Sequence, residues 1–232
     1  MSNSSIKDNL AVVRQKLSLV ANESGRSLKE IKLIAVSKKK PVGMINEAVL
    51  SNQTVFGENM IQEAIKKISA LKNVDKIEWH MIGHLQKNKV KFCPGKFQWI
   101  HSVDSIGLAN KLEEICALKQ KKINILVQVN LSQEKSKFGV QQLDQVLQLS
   151  ETLQVKNWIK LRGLMTIPEP DLGESATRKI FEKLRIWRDH LQKEMGAPEI
   201  SELSMGMTSD FEWAIKEGAT MIRLGTAIFG PR

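Results

Sequence analysis

A single α/β domain, an eight-stranded TIM barrel with one extra helix at its N-terminus, is the fold that the sequence predicts. Three observations carry that expectation. A unit of apolar run, short loop and amphipathic helix recurs with no linker between copies; the runs number eight; and several, IKLIAV and ILVQVNL among them, are apolar nearly throughout. Alternating strands and helices call for a parallel sheet, whose strands are covered on both faces and so lose the apolar–polar alternation of a half-exposed sheet. Eight such units close naturally on themselves. An open doubly wound sheet competes, but no GxGxxG follows the first strand, where a dinucleotide fold would carry it.

In chain order, the opening helix places Leu10, Val13, Leu17 and Val20 on one face. Strands are expected near 31–36, 54–58, 78–82, 98–103, 123–130, 160–166, 200–205 and 221–224, each an apolar run bounded by polar or turn-forming residues. Between them, helical stripes are formed by Leu108, Leu112, Ile115 and Cys116, by Leu143, Val146, Leu147 and Ser150, and by Ile180, Leu184, Trp187 and Leu191. All 232 residues are assigned to one domain, a length sufficient to bury a core of barrel size.

Composition removes several classes. The formal net charge of +10 could signal a polyanionic partner. Lysines such as Lys66, Lys67, Lys119, Lys121 and Lys122 are instead expected at helix ends or on polar faces, and no basic block is interleaved with aromatics that would stack on bases. No nucleic-acid or membrane partner is therefore expected. The first ten residues lack the apolar stretch of a signal peptide and no apolar run has transmembrane length, which predicts a cytoplasmic protein with Cys93 and Cys116 as free thiols.

In a barrel the active face lies at the C-terminal ends of the strands. Lys38 follows the first run and continues the Ile34, Val36 alternation into the mouth, whereas Lys39 and Lys40 precede a helix and are expected to face solvent. A lysine at a strand end, partly desolvated, has a lowered pKa and an amine able to form a Schiff base. At the far end of the chain, MIRLGTAIFG brings Gly225 for close backbone approach, the Thr226 hydroxyl, and Arg223 as a fixed donor on the same strand face. An amine and an anion cradle suit a phosphorylated aldehyde, and pyridoxal phosphate carries both handles. SMGMTSD adds free N–H groups around Thr208 and Ser209 at a helix start. Within FGEN, Glu58 could belong to a plain turn with Gly57 and Asn59 at positive φ, while the Asn59 amide could donate to a phenolic oxygen. His80 and His84 are four apart, but Gly83 breaks any helix between them and no acidic or cysteine ligand stands beside them, so no metal is expected.

These segments carry a family resemblance. AVSK at 35–38, FGEN with Gln62 and Glu63 at 56–63, WHMIGHLQKNK at 79–89, RGLMTIP at 162–168, SMGMTSD at 204–210 and RLGTAIFG at 223–230 together resemble the pyridoxal phosphate homeostasis protein family. The resemblance implies a barrel similar to the N-terminal domain of alanine racemase, with pyridoxal 5′-phosphate as cofactor in Schiff-base linkage to Lys38. It also implies a phosphate held by Met207, Thr208, Gly225 and Thr226, Arg223 facing the pyridine nitrogen, and a role in vitamin B6 supply without substrate turnover; a monomer with no catalytic residue is expected. Lys39 and Thr208 depart from the family's usual small polar residue and serine.

The competing class is a pyridoxal-phosphate-dependent racemase or decarboxylase of the same barrel type. Racemisation needs an acid/base on each face of the substrate carbon, a tyrosine from an added domain in alanine racemase, and this chain contains no Tyr. His80, His84 and His101 are the residues that could replace it. A cofactor-free phosphosugar-type barrel enzyme is a third class.

Overall fold

The chain is described from a computed structural model covering residues 5–71, 76–132 and 138–231. The barrel strands are β1 (Lys32–Val36), β2 (Val55–Glu58), β3 (Glu78–Met81), β4 (Trp99–Val103), β5 (Ile123–Gln128), β6 (Ile159–Met165), β7 (Glu202–Ser204) and β8 (Met221–Leu224). They pair in sequence order and close, with β8 lying parallel to β1. The helices are α1 (Ile6–Glu23), α2 (Val42–Leu50), α3 (Ile61–Ala70), α4 (Ile106–Lys119), α5 (Leu143–Gln154), α6 (Glu174–Met195), α7 (Phe211–Lys216) and α8 (Thr226–Phe229).

The extra helix is α1. Ser5 caps it, its hydroxyl accepting the Asp8 N–H, and its inward stripe of Leu10, Val13, Leu17 and Val20 is buried. Each of those side chains contributes roughly 1.5–3 kcal/mol through burial. The helix packs on α2, α7 and α8, and so covers the seam between the first and last repeats.

Two helical stripes depart from expectation only in part: Val146 and Ser150 on α5 and Leu184, Trp187 and Leu191 on α6 are buried as the periodicity predicts. On α5 the buried set is Val146, Leu149, Ser150 and Leu153, leaving Leu143 and Leu147 partly buried; on α6, Phe181 is buried and Ile180 is not. Periodicity alone does not separate adjacent faces of a helix when both carry apolar residues.

Alternation along the strands divides the core. The larger cluster lies between sheet and helices, while Ile34, Trp99, Leu126, Met165 and Met221 form a small cluster inside the barrel. Gly57 belongs to β2 and not to a turn. A Cβ there would stand 2.9 Å from Ile34 Cγ2 and 3.0 Å from Ile82 Cδ1, so the missing side chain lets the mouth of the barrel close. Cys93 and Cys116 are buried free thiols, each pushed up to about 12 by burial. Among the described residues, no helix is long and apolar enough to cross a membrane.

Candidate functional site

The site is built from the turn that follows β1. The strand ends at Val36, so Lys38 sits in the turn two residues beyond it, half-buried, and not on the strand itself. Ser37 Oγ donates to Glu58 Oε1 at 2.6 Å. Lys67 on α3 donates to the Ser37 carbonyl at 2.6 Å, to Glu58 Oε1 at 2.8 Å and to Glu63 Oε1 at 2.6 Å, and Glu63 Oε1 accepts the Lys39 N–H at 2.5 Å. The residues on both sides of Lys38 are thus held by one buried ion cluster.

Lys67 therefore does not lie on a polar face. It is 6% exposed, and all three of its protons meet acceptors. Its i, i+4 spacing from Glu63 is the signal in the sequence that points to the pair. Glu58 is fully buried beside it, and its Oε2 meets no hydrogen-bond partner among the described residues. Burial pushes the Glu58 carboxyl up, against the hydrogen bonds from Lys67 and Ser37. Lys39 is exposed with φ 59°, but Lys40 is not left in solvent: its ammonium reaches the carbonyls of Phe229, Gly230 and Pro231 at 2.7–3.1 Å.

Opposite the turn lies a cavity of about 410 Å³. Lys38, Asn59, Met207, Thr208, Arg223, Gly225 and Thr226 all line it, together with Val36, Ile82, Ile167 and Ser209. Lys38 and Arg223 are its only ionisable side chains among the described residues. Arg223 is 4% exposed; Nη1 donates to Ser204 Oγ at 2.5 Å and Nη2 to the Thr166 carbonyl at 2.9 Å. Burial pulls this guanidinium down to about 10, with Asp210 opposing, so it stays cationic.

On the far wall, the Met207 N–H is already committed to Asp210 Oδ1 at 2.5 Å. The N–H groups of Thr208, Ser209, Gly225 and Thr226 make no hydrogen bond among the described residues. Four donors with no internal partner around one end of a cavity are an anion cradle. Met207 lines the cradle without offering its own N–H.

His80 and His101 are not at the cavity. Both are fully buried inside the barrel, with His101 Nε2 and His80 Nδ1 2.7 Å apart. His84 stacks on Phe138 at 3.6 Å between centroids, in an adjoining cavity. No group of three potential metal ligands occurs among the described residues.

The family model described as alanine racemase, N-terminal domain, matches residues 3–232. The pyridoxal phosphate homeostasis protein of Haemophilus influenzae is 38% identical over 228 residues, covering 98% of this chain and 96% of the relative. That of Escherichia coli is 40% identical over 229 residues, covering 98% and 97%. The chain belongs to this family.

Among solved structures, the family member PipY of Synechococcus elongatus, with pyridoxal phosphate bound, matches at a TM-score of 0.86 and 36% identity over 97% of this chain and 100% of that one. Alanine racemase of Clostridium difficile matches at 0.76 with 17% identity, over 97% of this chain and 57% of that one, and shares the fold.

In this family member the buried histidines make stability depend on pH. Burial pushes His80 down to about 4, with Glu78 opposing, and holds His101 well below the usual 6.5. As pH falls through 6.5 the unfolded chain takes up protons that the folded one refuses, so this contribution is present above 6.5 and lost toward 4. Glu58, raised by burial, titrates with the opposite sign. The expected result is a difference between proteins: the urea midpoint of His80→Gln falls less between pH 7.5 and 5 than that of the wild type. Parallel slopes would mean that His80 does not stay neutral in the fold.

Proposed function

We propose that the chain is a single pyridoxal 5′-phosphate-binding domain that holds its cofactor through Lys38 and serves vitamin B6 homeostasis without turning over a substrate. The observation that carries this is the one cavity that brings the Lys38 amine, the buried Arg223 cation and four unpartnered N–H groups together. Those groups fit the cofactor: the amine suits its aldehyde, the N–H groups of Thr208, Ser209, Gly225 and Thr226 suit its phosphate, and Asn59 suits its ring hydroxyl. PipY with pyridoxal phosphate bound, at 36% identity, supports the same ligand.

When bound, the cofactor supplies an electrophilic carbon and a ring that draws electrons from an attached amine. Arg223 would meet the ring nitrogen with donors only, which keeps that nitrogen unprotonated and weakens the electron sink. Cα chemistry on both faces needs a second positioned acid or base. Among the described residues that line the cavity, Lys38 and Arg223 are the only ionisable side chains, and Arg223 stays cationic, so Lys38 is left to move a proton at that carbon. Incubation of the loaded protein with each L-amino acid in deuterated water, followed by NMR, tests this. Rapid, Lys38-dependent exchange with multiple-turnover product would establish an enzyme. The proposal includes a cytoplasmic monomer with no nucleic-acid partner, for which light scattering and RNA titration are the direct measurements.

The cradle is tested by ligand comparison. At Gly225 a Cβ would make ordinary contacts, 3.4 Å from the Val36 carbonyl oxygen, so Gly225→Val leaves the barrel folded while crowding the phosphate end. Binding of pyridoxal phosphate is expected to fall far more than binding of unphosphorylated pyridoxal; equal losses would remove the phosphate from this wall. Thr226→Ala is expected to cost about 1 kcal/mol of cofactor affinity.

A further inference from the structure

TIM-barrel interiors are filled by layers of branched apolar side chains. Here a line of polar groups runs through the interior, from the cavity to the opposite mouth. Arg223 Nη1 is 2.5 Å from Ser204 Oγ, Ser204 Oγ is 2.8 Å from His101 Nδ1, and His101 Nε2 is 2.7 Å from His80 Nδ1. His80 Nε2 is in turn 2.7 Å from Glu78 Oε1, which also accepts from Lys32 Nζ at 2.7 Å. Ser204, His101 and His80 are 0% exposed, whereas the Lys32 and Glu78 side chains are each 33% exposed. One end of the line meets the candidate ligand and the other meets water.

The chemistry of the groups orients every bond. Hydrogen bonds from His80 and Lys32 outweigh burial and hold Glu78 down to about 2, so its carboxylate only accepts. His80 must then carry its proton on Nε2, and being neutral it accepts at Nδ1. His101 consequently carries its proton on Nε2 and accepts at Nδ1, which takes the Ser204 hydroxyl proton. Ser204 is left with lone pairs for Arg223, which can only donate. Each assignment follows from the one before, and the two ends agree. All the bonds point from the cavity toward the carboxylate, so each polarises the next and strengthens Ser204 as an acceptor.

We propose that Glu78, His80 and His101 are positioning residues for Arg223, so that the Lys32–Glu78 pair at the far mouth fixes the guanidinium that meets the ligand's ring nitrogen. The role rests on the cofactor reading above. With Nη1 held by Ser204 and Nη2 by the Thr166 carbonyl, the guanidinium plane is set and its remaining donors are directed. If the line is interrupted, the serine hydroxyl can turn its proton toward Arg223, and the guanidinium loses that anchor.

The first test needs no cofactor: long-range proton–nitrogen NMR of the intact protein reads the histidine tautomers. Both His80 and His101 are expected as the Nε2–H form, and an Nδ1–H form for either would overturn the relay. The second test compares His80→Gln, whose amide can both donate and accept, with His80→Leu, which can do neither. Thermal unfolding of each variant accompanies the binding data. His80→Leu is expected to lower pyridoxal phosphate affinity about tenfold, as for loss of a hydrogen bond to a charged group, and to raise the protonated fraction of the ring nitrogen, read from nitrogen-15-labelled cofactor. His80→Gln should restore both. Wild-type values in His80→Leu, or an affinity loss in both variants with the ring-nitrogen signal unmoved, would overturn the positioning role. Wild-type protein that binds no pyridoxal phosphate would overturn the cofactor reading and the ligand half of this proposal together; the tautomers still decide the relay. They also decide it if His80→Leu does not fold.

Discussion

Lys38→Ala is expected to abolish covalent retention of pyridoxal phosphate, so that the visible absorption of the loaded protein disappears and the cofactor dialyses away. Among the three consecutive lysines only Lys38 lines the cavity. Lys39 is turned outward by its left-handed backbone, and the Lys40 ammonium is engaged by three carbonyls at the far end of the chain. Neither can take over the linkage without dismantling its surroundings. Because Lys38 is half-buried in a turn at the barrel mouth, its removal should change folding stability by no more than about 1 kcal/mol. Borohydride reduction of the loaded wild type followed by peptide mass analysis identifies the attachment point. An adduct on Lys39 or Lys40, or none, would overturn the assignment.

Lys67→Met should produce the largest loss of stability, about 3–5 kcal/mol at neutral pH, as for a buried charge stripped of its partner. Glu58 has no exposure, and without Lys67 it keeps one hydrogen bond, from Ser37. Its carboxyl, already raised by burial, should rise further. A folded-state value above the unfolded 4.5 gives stability that is present in acid and lost as pH rises through the folded value. The variant should therefore recover part of its loss as pH falls through that window, whereas a simple packing defect would not. Loss of the bond to the Ser37 carbonyl also frees the turn carrying Lys38, so slower reaction of the amine with pyridoxal phosphate is expected in stopped-flow traces. An unfolding midpoint and a reaction rate matching the wild type would show that the cluster does not hold the turn.

The barrel was legible because burial on both faces leaves a strong mark: each of the eight strands falls within or beside its predicted span. Boundaries were less so. The run 200–205 shortens to Glu202–Ser204, and IKLIAVSK yields a strand only to Val36, because hydropathy does not register where hydrogen bonding to the neighbouring strand stops. For the site, strand-end position sufficed to find the residues around the cavity. It could not reveal how they are held. Ser37, Glu58, Glu63 and Lys67 converge from three segments, and the depth of Lys67 depends on how α3 leans on the barrel. The histidines carried a second ambiguity: His80 and His101 alternate into the interior and are fully buried there, at a depth that depends on strand stagger.

The meeting of β1 with β8 bears on when the protein becomes competent. Lys38 comes from the first repeat, while Arg223, Gly225 and Thr226 come from the last, and Lys40 and Asn9 fasten the early chain to carbonyls beyond β8. No partly synthesised chain that lacks β8 can possess the cavity, and loop-closure entropy makes so distant a pairing a late event in folding. A ligand that touches both edges acts as a clasp across the closure and stabilises the finished barrel in proportion to its free concentration, by RT ln(1 + [L]/Kd). Cofactor supply would thereby be reported in the protein's own resistance to unfolding and proteolysis.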